Sequence, residues 1–130
     1  IYTGEDTLSL HDALPIFCMG GALSYLLAAT PGVLDAAVCY YGGGIQNQLD
    51  KADQITHPIL MHFAEKDAYI PMSAVADIQA RFETHPQAEI HTYPEVDHGF
   101  NCWSRGMFNQ KAASLARGRS LAFLSQHIAA

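Results

Sequence analysis

The most constraining stretch in this 130-residue chain is Phe17-Cys18-Met19-Gly20-Gly21, followed by the helix-compatible apolar run Ala22 to Ala29. A small nucleophilic side chain sits where a sharp turn is expected, with glycines directly after it. That is the right half of a G-x-nucleophile-x-G elbow, a strand-turn-helix device with cysteine in the place usually held by serine. The left half departs from the pattern. Two residues before the nucleophile the motif has glycine, and this chain has Ile16. An elbow needs a strand to leave and a helix to enter, so the chain downstream should alternate the two.

It does. Gly21 to Thr30 is expected to be a helix, with Leu23, Leu26 and Leu27 recurring at helical spacing and Pro31-Gly32 ending it. Ala36 to Tyr40 is continuously apolar, as in a strand buried on both faces of a parallel sheet. After Gly42-Gly43-Gly44, Ile45 to Ile55 reads as a loop or short helix. Ile59 to Phe63 is a second apolar strand, and Glu65-Lys66-Asp67 a turn. Pro71 opens a helix to about Thr84, with Val75, Ile78 and Phe82 on one face. Glu89 to Tyr93 alternates weakly as a third strand. Pro94 to Cys102 is a loop, and Met107 to Ile128 a long helix expected to bury Phe108, Ala112, Leu115 and Phe123. Alternating strands and helices define an α/β class with a parallel sheet. Three strands make a small sheet, so strands are expected to be missing on the N-terminal side.

The first sixteen residues, Ile1 to Ile16, fit none of this. They show no helical or alternating period, and Pro15 stands where the strand before the elbow belongs. Thr7 to Ile16, TLSLHDALPI, resembles one reading frame of a common sequencing adapter, and Ile1-Tyr2-Thr3 resembles its flank. We therefore expect residues 1–16 to be an artefactual leader and residues 17–130 the native part of one domain, with Ile16 marking the junction. The leader holds Glu5, Asp6 and Asp12 and no Lys or Arg, so excluding it changes the formal charge from −6 to −3.

Either charge argues against a nucleic-acid partner, because no basic stripe is present to neutralise phosphates. No apolar run approaches the eighteen residues of a membrane span, and no signal-peptide pattern appears. Cys18, Cys39 and Cys102 are an odd set, which points to free thiols and a cytoplasmic setting.

A cysteine nucleophile needs a base, and the base needs an orienting acid. Asp67 follows the strand Ile59–Phe63, and His98 follows the strand Glu89–Tyr93. Both fall outside the carboxyl ends of strands, where parallel sheets bind ligands. Asp97 is a rival acid, disfavoured because adjacent side chains seldom meet in the needed geometry.

These residues carry a resemblance. FCMGG (17–21), AVCYYGGGI (37–45), HFAEKDAYIP (62–71), YPEVDHGFNCWSR (93–105) and KAASLARGRSLAFLSQHI (111–128) together resemble the C-terminal half of the dienelactone hydrolase (carboxymethylenebutenolidase) family. The match runs over essentially all of Phe17 to Ala130. The resemblance implies an α/β-hydrolase fold, truncated at its N-terminus, and a carboxylic ester hydrolase without a cofactor. Cys18 would be the nucleophile, His98 the base and Asp67 its partner, in the chain order of that fold. The family's substrates are lactones and enol esters, dienelactones among them. Met19 would offer a backbone N–H to the oxyanion at a helix start. A glutamate, the second oxyanion donor and one substrate-binding arginine would belong to the N-terminal half. Broader carboxylesterase or thioesterase activity on the same fold, or a catalytically incomplete fragment, are the alternatives.

A carboxylate-bearing substrate calls for a cation, and Arg105 is the candidate, though a solvated loop arginine reads equally well. Better-known family members place arginine nearer the histidine, where this chain has Asn101 and Cys102. Tyr40 and Tyr41 either line the pocket or pack in the core. Cys39 reads as a buried hydrophobe. The remaining histidines lack ligand spacing, so no metal site is expected, and Gly42–Gly44 lacks the lysine of a phosphate loop.

Overall fold

The structure is a computed structural model that describes residues 14–128; the first thirteen residues of the expected leader lie outside the described residues. Four strands alternate with helices: β1 (Leu14–Phe17), α1 (Met19–Ala28), β2 (Ala37–Tyr40), a 3-10 helical segment (Ile45–Gln54), β3 (Ile59–Ala64), α2 (Met72–Phe82), β4 (Ala88–Tyr93) and α3 (Gln110–His127). The strands form one sheet in the order β1-β2-β3-β4, parallel throughout. The registers Phe17↔Tyr40, Tyr40↔His62 and Ala64↔Tyr93 bring the carboxyl ends to one side of the sheet. Cys18, Tyr41, Asp67 and His98 all follow those ends.

A strand does precede Cys18, contrary to expectation, and it uses Leu14, Pro15 and Ile16. Proline lacks the N–H of a ladder, but β1 pairs with β2 alone among the described residues, and an edge strand accommodates it. β2 and β3 are buried along their whole lengths, as their unbroken apolar runs require.

The helices turn differently from what their leucines imply. Leu23 and Leu26 are 46% and 37% exposed, and α1 buries Gly21, Ser24, Tyr25 and Ala28 instead. The rotation is set by Gly21, where an added Cβ would lie 2.5 Å from the Tyr40 carbonyl oxygen. Only glycine allows this approach, so α1 presents that side to β2. Tyr25 then reaches across the core, donating its hydroxyl to the Gln48 carbonyl (3.0 Å) and meeting Phe82 edge-on. In α3 the inward face is Ala112, Ala113, Ala116, Ser120 and Phe123, and Leu115 points outward, 48% exposed. Asn109 starts the helix by accepting the Ala112 N–H at 3.0 Å.

Ser120 is the centre of a buried polar network between the sheet and α3. Its hydroxyl donates to the Ala116 carbonyl (2.9 Å) and lies 2.8 Å from the Tyr40 hydroxyl and 2.9 Å from His62 Nε2. The single Ser120 proton is committed to Ala116, so Tyr40 and the His62 Nε2–H must both donate to Oγ. His62 Nδ1 is then an acceptor, filled by the Tyr93 hydroxyl at 2.9 Å. Every proton is placed with His62 neutral. Burial, then the neighbouring His91 and Arg119 charges, push the His62 pKa down from 6.5 to about 3.

Candidate active site

Cys18 has φ 59°, an uncommon left-handed conformation for a residue other than glycine. Its N–H donates to the Tyr40 carbonyl (3.1 Å), and its own carbonyl accepts the Gly21 N–H (2.9 Å). The strained residue is thereby locked to β2 on one side and to the first turn of α1 on the other. Strain of this kind lifts a nucleophile out of the chain at the top of a sheet. Gly42 completes the fit: a Cβ there would lie 2.8 Å from Ala22 N. The glycines after β2 therefore serve helix packing.

Cys18 Sγ lies 2.9 Å from His98 Nε2, and His98 Nδ1 lies 2.7 Å from Asp67 Oδ2. Three residues spread over eighty positions thus form one hydrogen-bonded cysteine–histidine–aspartate triad. Asp67 is fixed by its own turn, its Oδ1 accepting the N–H groups of Tyr69 (2.8 Å) and Ile70 (3.1 Å). Its side chain is buried and that of His98 is 15% exposed, so the pair is largely shielded from water. Asp97 has another task, accepting the backbone N–H of His98 at 2.7 Å. The loops carrying acid and base are joined directly. Lys66 N–H donates to the Val96 carbonyl (2.9 Å), Glu95 N–H to Glu65 Oε2 (2.8 Å), and the Lys66 ammonium pairs with Glu95.

Two tyrosine rings flank the histidine, Tyr41 at 5.0 Å and Tyr69 at 5.2 Å between centroids. Tyr41 is buried, its hydroxyl pushed up in pKa chiefly by that burial. Tyr69 was not singled out by its sequence, because an exposed tyrosine in a turn has no motif.

Cavities open on two sides of Cys18. The larger, about 460 Å³, is lined by Cys18 and Tyr41, by the post-histidine loop including Asn101, Cys102, Trp103 and Arg105, and by Arg117 of α3. The other, about 320 Å³, is lined by Cys18, Met19, Gly43, Tyr69 and His98. Met19 is the first residue of α1, where an N–H has no acceptor within the helix. Of the residues proposed from the sequence for substrate contact, Arg105 and Tyr41 line the larger cavity. Tyr40 lies below it in the Ser120 network. Cys102 borders the cavity, its thiol held below the usual range by the Ser104 hydroxyl and by Arg105. Among the described residues no group of acidic, cysteine and histidine side chains is arranged to hold a metal ion, and no helix is long and apolar enough to cross a membrane.

A parallel α/β sheet with a strained cysteine at a strand-helix elbow, backed by histidine and aspartate from later loops, has the triad geometry of a cysteine-type α/β-hydrolase. The chain belongs to the dienelactone hydrolase family, whose model matches residues 16–128. It is 38% identical over 109 residues to a carboxymethylenebutenolidase of Pseudomonas putida, covering 84% of this chain and 46% of that protein. Carboxymethylenebutenolidase 1 of Cupriavidus pinatubonensis is 32% identical over 109 residues, with the same coverage of 84% and 46%. A crystal structure from Klebsiella pneumoniae, assigned to the dienelactone hydrolases, superposes with a TM-score of 0.79 at 32% identity, over 88% of this chain and 51% of that one. The chain spans about half the length of the curated relatives it matches.

Proposed function

We propose that the chain carries the chemistry of a cysteine-dependent carboxylic ester hydrolase acting on lactones and enol esters, of the carboxymethylenebutenolidase kind. The observation that carries this is the Sγ–Nε2 contact of 2.9 Å continued by the Nδ1–Oδ2 contact of 2.7 Å. His98 Nε2 takes the Cys18 proton, and the thiolate attacks the ester carbonyl carbon. A C–S bond forms as the carbonyl pair moves onto oxygen, where the Met19 N–H receives the charge. Collapse breaks the C–O bond, and the leaving enolate takes the proton from His98. Water then gives a proton to Nε2 and attacks the thioester carbonyl. The C–S bond breaks, the acid leaves, and the sulfur recovers its proton. Asp67 holds Nδ1–H throughout and stabilises the imidazolium.

Arg105 in the larger cavity is the anchor assigned to a substrate carboxylate, with Tyr41 forming the wall beside His98. Tyr40 acts from below, through the carbonyl that holds Cys18. A broader esterase or thioesterase would hydrolyse neutral esters as readily as acidic ones. The free state of Cys18, Cys39 and Cys102 supports a reducing, cytoplasmic setting. The test is hydrolysis of dienelactone and aryl esters by wild type and Cys18→Ala, with mass-spectrometric trapping of the acyl-thioester. The expected result is loss of at least ~1000-fold in kcat and of the acyl adduct; wild-type turnover by Cys18→Ala would overturn the assignment.

A further inference from the structure

Building on the hydrolase reading above, we propose that the larger cavity is a dianion subsite. It takes a planar, conjugated ester or lactone bearing two acidic groups, one met by Arg105 and the second by Arg117, with Trp103 against the planar body.

Two guanidiniums from separate elements, the post-histidine loop and α3, line one cavity with the nucleophile, and no Asp or Glu lines it. Among the described residues neither arginine is in an ion pair, whereas Arg81 of α2 binds Asp53 at 2.6 Å. Like charges held around a shared space without a counter-ion repel, and a ligand with two negative groups removes that repulsion where one with a single group leaves a charge unmatched. The Arg117 charge is felt by the Tyr40 hydroxyl, and that of Arg105 by the Cys102 thiol on the cavity wall. Trp103 is 82% exposed and is the single tryptophan of the chain. A large aromatic left in water beside two cations is suited to stacking on a flat anionic ligand. Asn101 adds a buried Oδ1 with no hydrogen-bond partner among the described residues, a polar group that a ligand can satisfy. The volume of about 460 Å³ lies within the range of small-molecule sites.

The single tryptophan makes the test direct. Terephthalate (two charges), 4-carbamoylbenzoate (one) and terephthalamide (none) are titrated into the full chain, reading Trp103 fluorescence and, in parallel, calorimetric heat. The expected result is that the dianion binds at least ~10-fold more tightly than the monoanion, that Arg117→Gln removes about ten-fold of the dianion's affinity while leaving the monoanion's unchanged, and that the neutral diamide is weakest. Equal binding of the two anions, absence of binding by both readouts, or an unchanged dianion affinity in Arg117→Gln would overturn the proposal. Cys18→Ala separates it from the hydrolase reading: this variant is expected to keep dianion binding, so that loss of the subsite and loss of the nucleophile are read in different experiments.

Discussion

Acidification from pH 7 to pH 5 is expected to destabilise the fold through His62, a residue remote from water and outside the triad. The folded-state pKa lies at about 3 against 6.5 for an unperturbed histidine. The depressed folded value fixes the sign: below pH 6.5 the unfolded chain takes up a proton that the folded chain refuses. Stability is therefore full above pH 6.5, declines as pH falls, and levels off near pH 3. At pH 5 the unfolded histidine is about thirty-fold protonated over neutral while the folded one is still neutral, which corresponds to about 2 kcal/mol lost relative to pH 7. For a chain of this size that lowers Tm by about 6–10 °C. The cause is geometric, since the groups around His62 leave no acceptor for a second proton. Its Nε2–H meets Ser120, its Nδ1 accepts from Tyr93, and His91 and Arg119 stand nearby as further positive or protonatable groups. His91 and His57 are also shifted down, mainly by burial, and steepen the same decline. Thermal melts by circular dichroism at pH 7 and pH 5, for wild type and His62→Gln, isolate the term: the variant should lose about 2 kcal/mol less between the two pH values. The His62 ring resonances should not move between pH 7 and pH 5 in a histidine-detected NMR titration. A His62 midpoint near 6.5, or an unchanged pH slope in the variant, would show the network to be wrongly assigned.

Gly21→Ala should cost about 3 kcal/mol or more and abolish ester turnover, because the new Cβ would lie 2.5 Å from a backbone oxygen that also holds Cys18; a melt unchanged to within a degree would contradict the close approach. Asp67→Asn should lower kcat by about 10³–10⁴ with little change in Tm, whereas Asp97→Asn, which meets only the backbone N–H of His98, should stay within about ten-fold. Equal losses from the two in steady-state kinetics would make the acid assignment untenable. Ser120→Ala leaves the Tyr40 hydroxyl and His62 Nε2–H without their acceptor and should cost about 1–3 kcal/mol in urea unfolding, with the m-value unchanged.

What the sequence reveals about this site follows from covalent proximity to strand ends. Asp67 is three residues past β3 and His98 five past β4, so a strand pattern read to within a residue or two already places both on one rim; Cys18 was legible from the glycines after it, while β1, one residue before it, was not. The choice between Asp67 and Asp97 could also be made there, since it turns on local reach. Helix rotation could not. Leu23 and Leu26 make an apolar stripe as convincing as any in the chain, yet the side buried is the one where Gly21 admits the Tyr40 carbonyl. A missing side chain outweighed two large ones, and hydrophobic spacing carries no record of that. Ser120 and Arg117 were hidden for a related reason: a serine and an arginine on an outwardly polar helix show their roles only when α3 is laid on the sheet.

The carboxyl end of β2 is where stability and chemistry meet. The Tyr40 carbonyl accepts the N–H of the strained nucleophile, while the Tyr40 hydroxyl donates into the Ser120–His62 network below. Tyr41, at φ 35°, follows with its N–H on the His62 carbonyl at 2.7 Å and its ring against His98. Gly42 then closes on Ala22 at the start of α1. Three consecutive residues therefore fix the nucleophile, its base and its helix, and the first of them is itself fixed by a network that tolerates only neutral His62. Opening this segment exposes His62 to a proton that the closed fold refuses, so acid should favour a local opening of the elbow before the sheet melts. Loss of the 2.9 Å Sγ–Nε2 geometry would then precede loss of secondary structure as pH falls. Thiol alkylation rate followed alongside far-UV dichroism between pH 7 and pH 4 reads the two separately, in wild type and in His62→Gln. A departure of the alkylation rate from simple thiolate titration that is present in wild type and absent in the variant is the expected signature; identical profiles would mean that β2 carries the two networks without coupling them.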